Sequence, residues 1–177
     1  PGVTRVKPGD RVTYASEPMG SYAEMRLFPA QRVMKIPAGI SDEQAASMML
    51  KGMTAAMLLR RIWRPKKGDT VLIHAAAGGV GLILCQWAKH LGATVIGTVS
   101  STAKGKLVRA HGCDHVIDYS KQDFVERVKK ITKGKGVPVV YDGVGKDTFP
   151  GSLDCIRRTG MWITFGNASG PVPPVAP

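Results

Sequence analysis

The chain has 177 residues, 44% of them apolar and 21% charged, the ordinary composition of a globular domain long enough for a substantial core. No apolar run approaches the roughly 20 residues of a membrane span, and the N-terminus lacks the basic-then-apolar layout of a signal peptide. Three cysteines without a C-x-x-C pair offer neither a disulfide framework nor a zinc knuckle, so no membrane partner and a reducing, cytoplasmic location are expected, while a formal charge of +12 keeps an acidic or nucleic-acid partner open.

The first elements are short. Strands are predicted over 9–14, 20–27 and 32–37. Three such strands with exposed edges cannot build a core, so residues 1–40 read as the tail of a preceding β domain. Ser41-x-x-Gln44 is a capping box opening a Met- and Ala-rich helix that runs to about Arg61, before Pro65 and Gly68 break it.

The next segment carries the strongest signal. Val71 to Ile73, bounded by Gly68-Asp69, is an apolar run of the kind buried on both faces of a parallel sheet, and the chain then breaks into Ala76-Ala77-Gly78-Gly79-Val80-Gly81. The first position of the usual G-x-G-x-x-G is alanine here, so the context has to support the reading. Val80, Ile83, Leu84, Trp87, Ala88 and Leu91 then follow at helical spacing with Gly92 as a stop, and 94–99 is a β-branched second strand. Strand, glycine turn, helix and strand within about 30 residues make a β-α-β unit. In such a unit the turn's N–H groups meet a pyrophosphate at the helix N-terminus. A tight connection without a ligand is the other reading.

The end of the second strand bears on the choice of cofactor. NAD sites place an acid there for the ribose hydroxyls, and here it is absent. Ser100-Ser101-Thr102-Ala103-Lys104-Gly105-Lys106 instead offers hydroxyls and cations suited to a 2′-phosphate, which points to NADPH. Alternatively Thr102 caps a helix and the lysines form its solvated face.

The alternation then continues with a helix over 103–110, a strand over 115–118, a helix over 121–132 capped by Ser120, a strand over 137–142, a helix over 147–158 and a strand over 160–166. Phe124, Val125, Val128 and Ile131 form the apolar face of the fourth helix, ended by Gly134, and the chain closes in a Pro-rich tail. The fold class is α/β, a Rossmann-type doubly wound parallel sheet over 41–177 with a β-rich N-terminal remnant. Five strands against the usual six leave one missing, or supplied by the N-terminal segment or another chain.

Basic residues cluster at 60–67 and 129–135. Few aromatics interleave with them, and both clusters fall where helices end. His111-Gly112-Cys113-Asp114-His115 superficially offers metal ligands but lies on a helix-to-strand turn, so no metal is expected. His74, at a strand end among small residues, reads as structural rather than as a catalytic acid.

Several segments together resemble one family: Gly20-Ser21-Tyr22-Ala23-Glu24, Leu50-Lys51-Gly52-Met53-Thr54-Ala55, His74 through Gly81, Cys85-Gln86-Trp87-Ala88-Lys89, Val139 through Gly145 and Phe165 through Gly170. The chain resembles the NADPH-dependent, zeta-crystallin-like quinone oxidoreductases of the medium-chain dehydrogenase/reductase superfamily, over almost its whole length. The resemblance implies that Ala77, Gly78, Gly79 and Val80 contact the pyrophosphate. It implies that Ser100, Ser101, Lys104 and Tyr119 surround the 2′-phosphate, that Thr54 lies near the nicotinamide, and that Gly143, Phe165, Gly166 and Asn167 line the nicotinamide side of the cleft. Gly143 stands where relatives often carry serine. From the residues alone, Thr54 would be a helix-packing residue and Tyr119 a strand-end aromatic.

In this reading most of an N-terminal GroES-like domain is absent and the nucleotide domain is truncated at its C-terminus. The expected activity is zinc-independent reduction of a small-molecule quinone or enone by a homodimer, with no catalytic nucleophile in this chain. An enoyl or alkenal reductase of the same superfamily is the nearest alternative, and a basic nucleic-acid-binding module is the alternative from another class.

Overall fold

The computed structural model describes residues 2–15 and 17–174. The chain divides into two compact units, Pro1–Thr54 and Ala55–Pro177.

In the first unit β1 (Val12–Thr13) and β2 (Met34–Lys35) pair, antiparallel. The strand expected over 20–27 does not form. That segment is a loop gathered around Arg26, whose guanidinium lies over the Tyr14 and Phe28 rings and donates to the Pro18 carbonyl. Met19, Tyr22, Met25 and Leu27 in or beside this loop are almost wholly exposed, so no buried face specifies a strand register. The capping box opens α1 (Asp42–Met57) as expected: Ser41 N–H donates to Gln44 Oε1 at 2.9 Å and Gln44 N–H to Ser41 Oγ at 3.1 Å.

In the second unit the helical path leaves α1 through a π turn over Leu58–Ile62 and enters a five-stranded parallel sheet. Its strands are β3 (Thr70–Ile73), β4 (Thr94–Val99), β5 (His115–Asp118), β6 (Val137–Asp142) and β7 (Ile156–Thr164), in the order β5-β4-β3-β6-β7. Between them run α2 (Gly79–His90), α3 (Thr102–Ala110), α4 (Phe124–Ile131) and α5 (Phe149–Cys155). Strand alternation divides the core into two layers. Val71, Ile73, Val139 and Tyr141 pack with Leu84, Ala88 and Val108 of α2 and α3, whereas Leu72, Ile96, Ile117 and Val140 pack with Val128 and Cys155 of α4 and α5. The sheet is therefore wound on both faces, as the βα alternation implied.

Three local boundaries differ from the sequence reading. Ser101, not Thr102, caps α3, accepting from Lys104 N–H. Asp123, not Ser120, caps α4, accepting from Val125 and Glu126 N–H, while Ser120 bonds back to Asp118. The last helix stops at Cys155 and β7 starts immediately, because Ile156 belongs to the apolar face of the sheet. The pairing of β6 with β7 slips between Val137 and Val139, where Pro138 has no N–H to give to a ladder.

Candidate functional site

Parallel strands place all their C-terminal ends along one edge, and in open α/β sheets ligands bind in the crevice outside that edge. The β3–α2 turn lies there. Ala75 holds a left-handed φ of 49°, and its carbonyl folds into the turn to accept from Gly78 N–H at 2.8 Å. That carbonyl makes glycine obligatory further on: a Cβ at Gly81 would lie 2.5 Å from the Ala75 oxygen and 2.6 Å from the Ala76 oxygen. Gly97, beside the turn on β4, is closed in similarly by Ala76 Cβ and Cys113 Sγ, each 2.8 Å from an added Cβ. The helix thus starts close against the strand. Gly79, Val80 and Gly81 supply first-turn N–H groups with no carbonyl inside the helix to take them, and the first intrahelical bond is Leu82 N–H to Gly78 at 2.9 Å. Open donors at the positive end of a helix dipole, with no side chain above Gly78 and Gly79, suit a pyrophosphate.

At the end of β4, Lys104 Nζ donates to Ser100 Oγ at 3.0 Å, and Ser101 Oγ accepts from the Lys104 N–H as the helix cap, which leaves its O–H able to donate. The ammonium is thereby tied to the residue that follows β4. A cavity of about 250 Å³ beside α3, lined by residues including Lys106, Arg109 and Lys121, adds cations to the same region, with Asp118 partly offsetting them. Tyr119, following β5, is half exposed. Gly143 follows β6, and Phe165, Gly166 and Asn167 follow β7. These two loops interlock: Phe165 N–H donates to the Asp142 carbonyl at 2.9 Å, the Phe165 ring lies against Gly143, and a Cβ at Gly166 would meet the Gly143 carbonyl at 2.7 Å. The fold therefore gathers every sequence-predicted residue of the second unit along one sheet edge. Thr54 belongs to the first unit, on α1, where its hydroxyl donates to the Leu50 carbonyl at 2.8 Å.

Beneath the β6 loop lies a polar network that sequence reasoning did not find. Asp142 is fully buried, and its carboxylate accepts from five donors. Oδ1 takes Val144 N–H at 2.8 Å and Gly145 N–H at 3.1 Å, Oδ2 takes Trp162 Nε1–H at 3.0 Å and Ser152 Oγ–H at 3.2 Å, and the Thr148 hydroxyl reaches both oxygens. Because Ser152 donates to the carboxylate, it accepts from His74 Nε2 at 3.0 Å, which leaves Nδ1 to accept from the Thr98 hydroxyl at 3.0 Å. His74 is thus a neutral Nε2–H tautomer. Burial pushes its pKa down to about 4, against a smaller upward pull from Asp142. Burial on its own would raise the Asp142 carboxyl, but attraction to His74 and the bonds from Trp162, Val144 and Thr148 hold it below its usual value. With the imidazole uncharged at neutral pH, the donors carry that effect. The one advance signal was an acid ending an apolar strand just before Gly-Val-Gly.

The His111–His115 turn disperses its candidate metal ligands. His111 Nδ1 meets the Leu107 carbonyl, Cys113 is buried against the His115 carbonyl, and Asp114 is engaged by Lys89 and Val95 N–H. Among the described residues no group of three His, Cys, Asp or Glu side chains is placed to hold a metal. Arg60 and Arg61 lie in the last turn of the π segment and Lys129 and Lys130 in that of α4, where the helix dipole favours cations, and the remaining members of the two clusters follow in the connections. Among the described residues no helix is long and apolar enough to cross a membrane.

Comparison with known proteins agrees with this geometry. Residues 79–177 match the family described as zinc-binding dehydrogenase, although zinc finds no ligand set among the described residues of this chain. The chain is 54% identical over 170 residues to a quinone oxidoreductase of Pseudomonas aeruginosa, covering 96% of this chain and 52% of that protein. It is 52% identical over 177 residues to a 2-haloacrylate reductase of a Burkholderia species, covering 99% of this chain and 53% of the relative. It superposes on the crystal structure of Escherichia coli quinone oxidoreductase complexed with NADPH with a TM-score of 0.95 and 50% identity, over 99% of this chain and 54% of that one. The chain spans about half the length of the curated relatives it matches. By its matched residues and its sheet, the chain belongs to the zinc-binding dehydrogenase family.

Proposed function

We propose that this chain is the NADPH-binding part of an oxidoreductase that reduces quinones or similar electrophilic acceptors. The observation that carries the reading is the juxtaposition of the open α2 N-terminus with the Lys104–Ser100 pair one strand away. The first fits a pyrophosphate; the second fits a 2′-phosphate and would be idle against two bare hydroxyls. Bound NADPH supplies the hydride, and the protein's part is binding and orientation. Ala77, Gly78, Gly79 and Val80 hold the pyrophosphate, Ser100, Ser101, Lys104 and Tyr119 the 2′-phosphate. Gly143, Phe165, Gly166 and Asn167 form one wall beside the nicotinamide.

On its own the chain is expected to bind NADPH weakly and to turn over little, because a cleft needs both walls and its relatives are about twice as long. A titration with NADPH and NADH in parallel tests the reading: tighter binding of NADPH supports it, and binding of neither, or equal binding of both, contradicts it. The likeness to a 2-haloacrylate reductase favours a second reading, an activated alkene as acceptor. Comparing quinone with enone turnover in a protein that includes this chain separates the two. We also read the protein as a homodimer, with β7 offering an edge of the sheet, and as cytoplasmic, a setting in which its three buried thiols stay free.

A further inference from the structure

The Asp142 network is more than the core requires. An apolar side chain would seal the space between β6, α5 and β7 without a buried charge, but it could not turn the N–H groups of Val144 and Gly145 back toward the strand end. The carboxylate does this with Oδ1, while Trp162 and Ser152 hold Oδ2 from β7 and α5. The turn is clamped from its other side by the segment after β7. Ser169 N–H and Oγ–H both donate to the Val144 carbonyl, Lys146 N–H donates to the Gly170 carbonyl, and a Cβ at Gly145 would lie 2.7 Å from that same carbonyl. The loops after β6 and β7 are one rigid piece, and Asp142 is its base.

We propose that Asp142 is a positioning residue of the cofactor cleft: its buried carboxylate fixes the β6–α5 turn, and through it Gly143 and Phe165, in the shape that receives the nicotinamide half of the dinucleotide. This rests on the NADPH reading above. It predicts an effect on NADPH and NADH alike, since both carry the same nicotinamide half, whereas loss of Lys104 touches NADPH only.

Three variants test it. Asp142→Ala removes the acceptor. Asp142→Asn keeps an oxygen for the two backbone N–H groups but turns an NH₂ toward Ser152 and Trp162; the Ser152 hydroxyl can rotate to accept from it, whereas the indole N–H of Trp162 is left donor against donor. Trp162→Phe combined with Asp142→Asn removes that conflict. Binding is measured by calorimetry at a temperature where melting curves show each variant folded, and hydrogen exchange at 144 and 145 is followed without ligand.

The expected result is that Asp142→Ala, or Asp142→Asn alone if the alanine variant does not fold, weakens both dinucleotides by about tenfold or more, the size of one lost hydrogen bond to a charged group. The double variant should recover to within about threefold of wild type, and exchange at 144 and 145 should rise in the single variants and return to normal in the double one. Single variants that melt lower yet bind both dinucleotides normally would overturn the proposal, as would a double variant that binds no better than Asp142→Asn. If the exchange pattern appears as expected but wild type binds neither dinucleotide, the NADPH reading fails, and the role in the cleft falls with it.

Discussion

Acidification should weaken this fold through His74 before its carboxylates titrate. The imidazole is 1% exposed, with Nδ1 accepting from Thr98 and Nε2–H donating to Ser152. A proton on Nδ1 would place a charge on a ring shut away from solvent, and this burial holds the pKa near 4 against an ordinary 6.5. The unfolded chain therefore binds a proton below pH 6.5 that the native state refuses until about pH 4, and stability is full above this window and falls as pH drops through it. At pH 4.5 the loss is about 2 to 3 kcal/mol. Asp142, held below its ordinary value, stays ionised there and adds its own loss only at lower pH. Urea denaturation followed by tryptophan fluorescence at pH 7 and pH 4.5 reads the effect as a midpoint shift of about 1 M, for a slope of roughly 2 to 3 kcal/mol/M. In His74→Gln, which cannot take the proton, the pH dependence between these two values should shrink by the same about 2 to 3 kcal/mol. An equal pH dependence in both proteins would show that native His74 accepts the proton freely, and the neutral tautomer assigned here would be wrong.

Three further substitutions probe the packing around the site. Gly81→Ala sets a Cβ against two backbone oxygens at 2.5 and 2.6 Å, so α2 must move off the turn; calorimetry should show a loss of about 1 to 3 kcal/mol, with NADPH and NADH binding both abolished, and an unshifted melt would contradict the close approach. Asp123→Ala removes the one carboxylate oxygen that accepts from two N–H groups at the start of α4 and should cost about 0.5 to 2 kcal/mol in urea unfolding, where the corresponding change at Ser120 should cost less. Leu72→Ala empties a wholly buried position in the layer under α4 and α5; the expected loss is about 2 to 5 kcal/mol, and a value near zero would mean that this layer is not close-packed.

The β-α-β core was legible because each of its parts announces itself locally. Apolar runs bounded by glycine, a 3.6-residue apolar face and the Ser41–Gln44 box are each recognised from a few neighbouring residues, although the strands find their ladder partners far along the chain. Where adjacent residues compete for one role, the sequence was ambiguous. Ser101 and Thr102, or Ser120 and Asp123, are all competent caps, and the backbone path decides which one faces the free N–H groups. The 20–27 segment alternates well enough for a strand, but its apolar side chains have no partner face in this unit. At the site, the glycines and Lys104 were visible because their spacing is chemical information. Asp142 was not, because its donors come from positions 144, 145, 148, 152 and 162, on a turn, a helix and a distant strand that only the fold brings to one carboxylate.

The central claim is that Lys104 and the α2 turn together read NADPH, and its most direct measurement is the affinity of wild type and Lys104→Ala for NADPH and NADH under one set of conditions. The substitution should weaken NADPH by about ten- to a hundredfold, the loss of a charge-assisted hydrogen bond, and leave NADH unchanged, so that the preference disappears. Equal losses for both dinucleotides, or none for either, would contradict the claim.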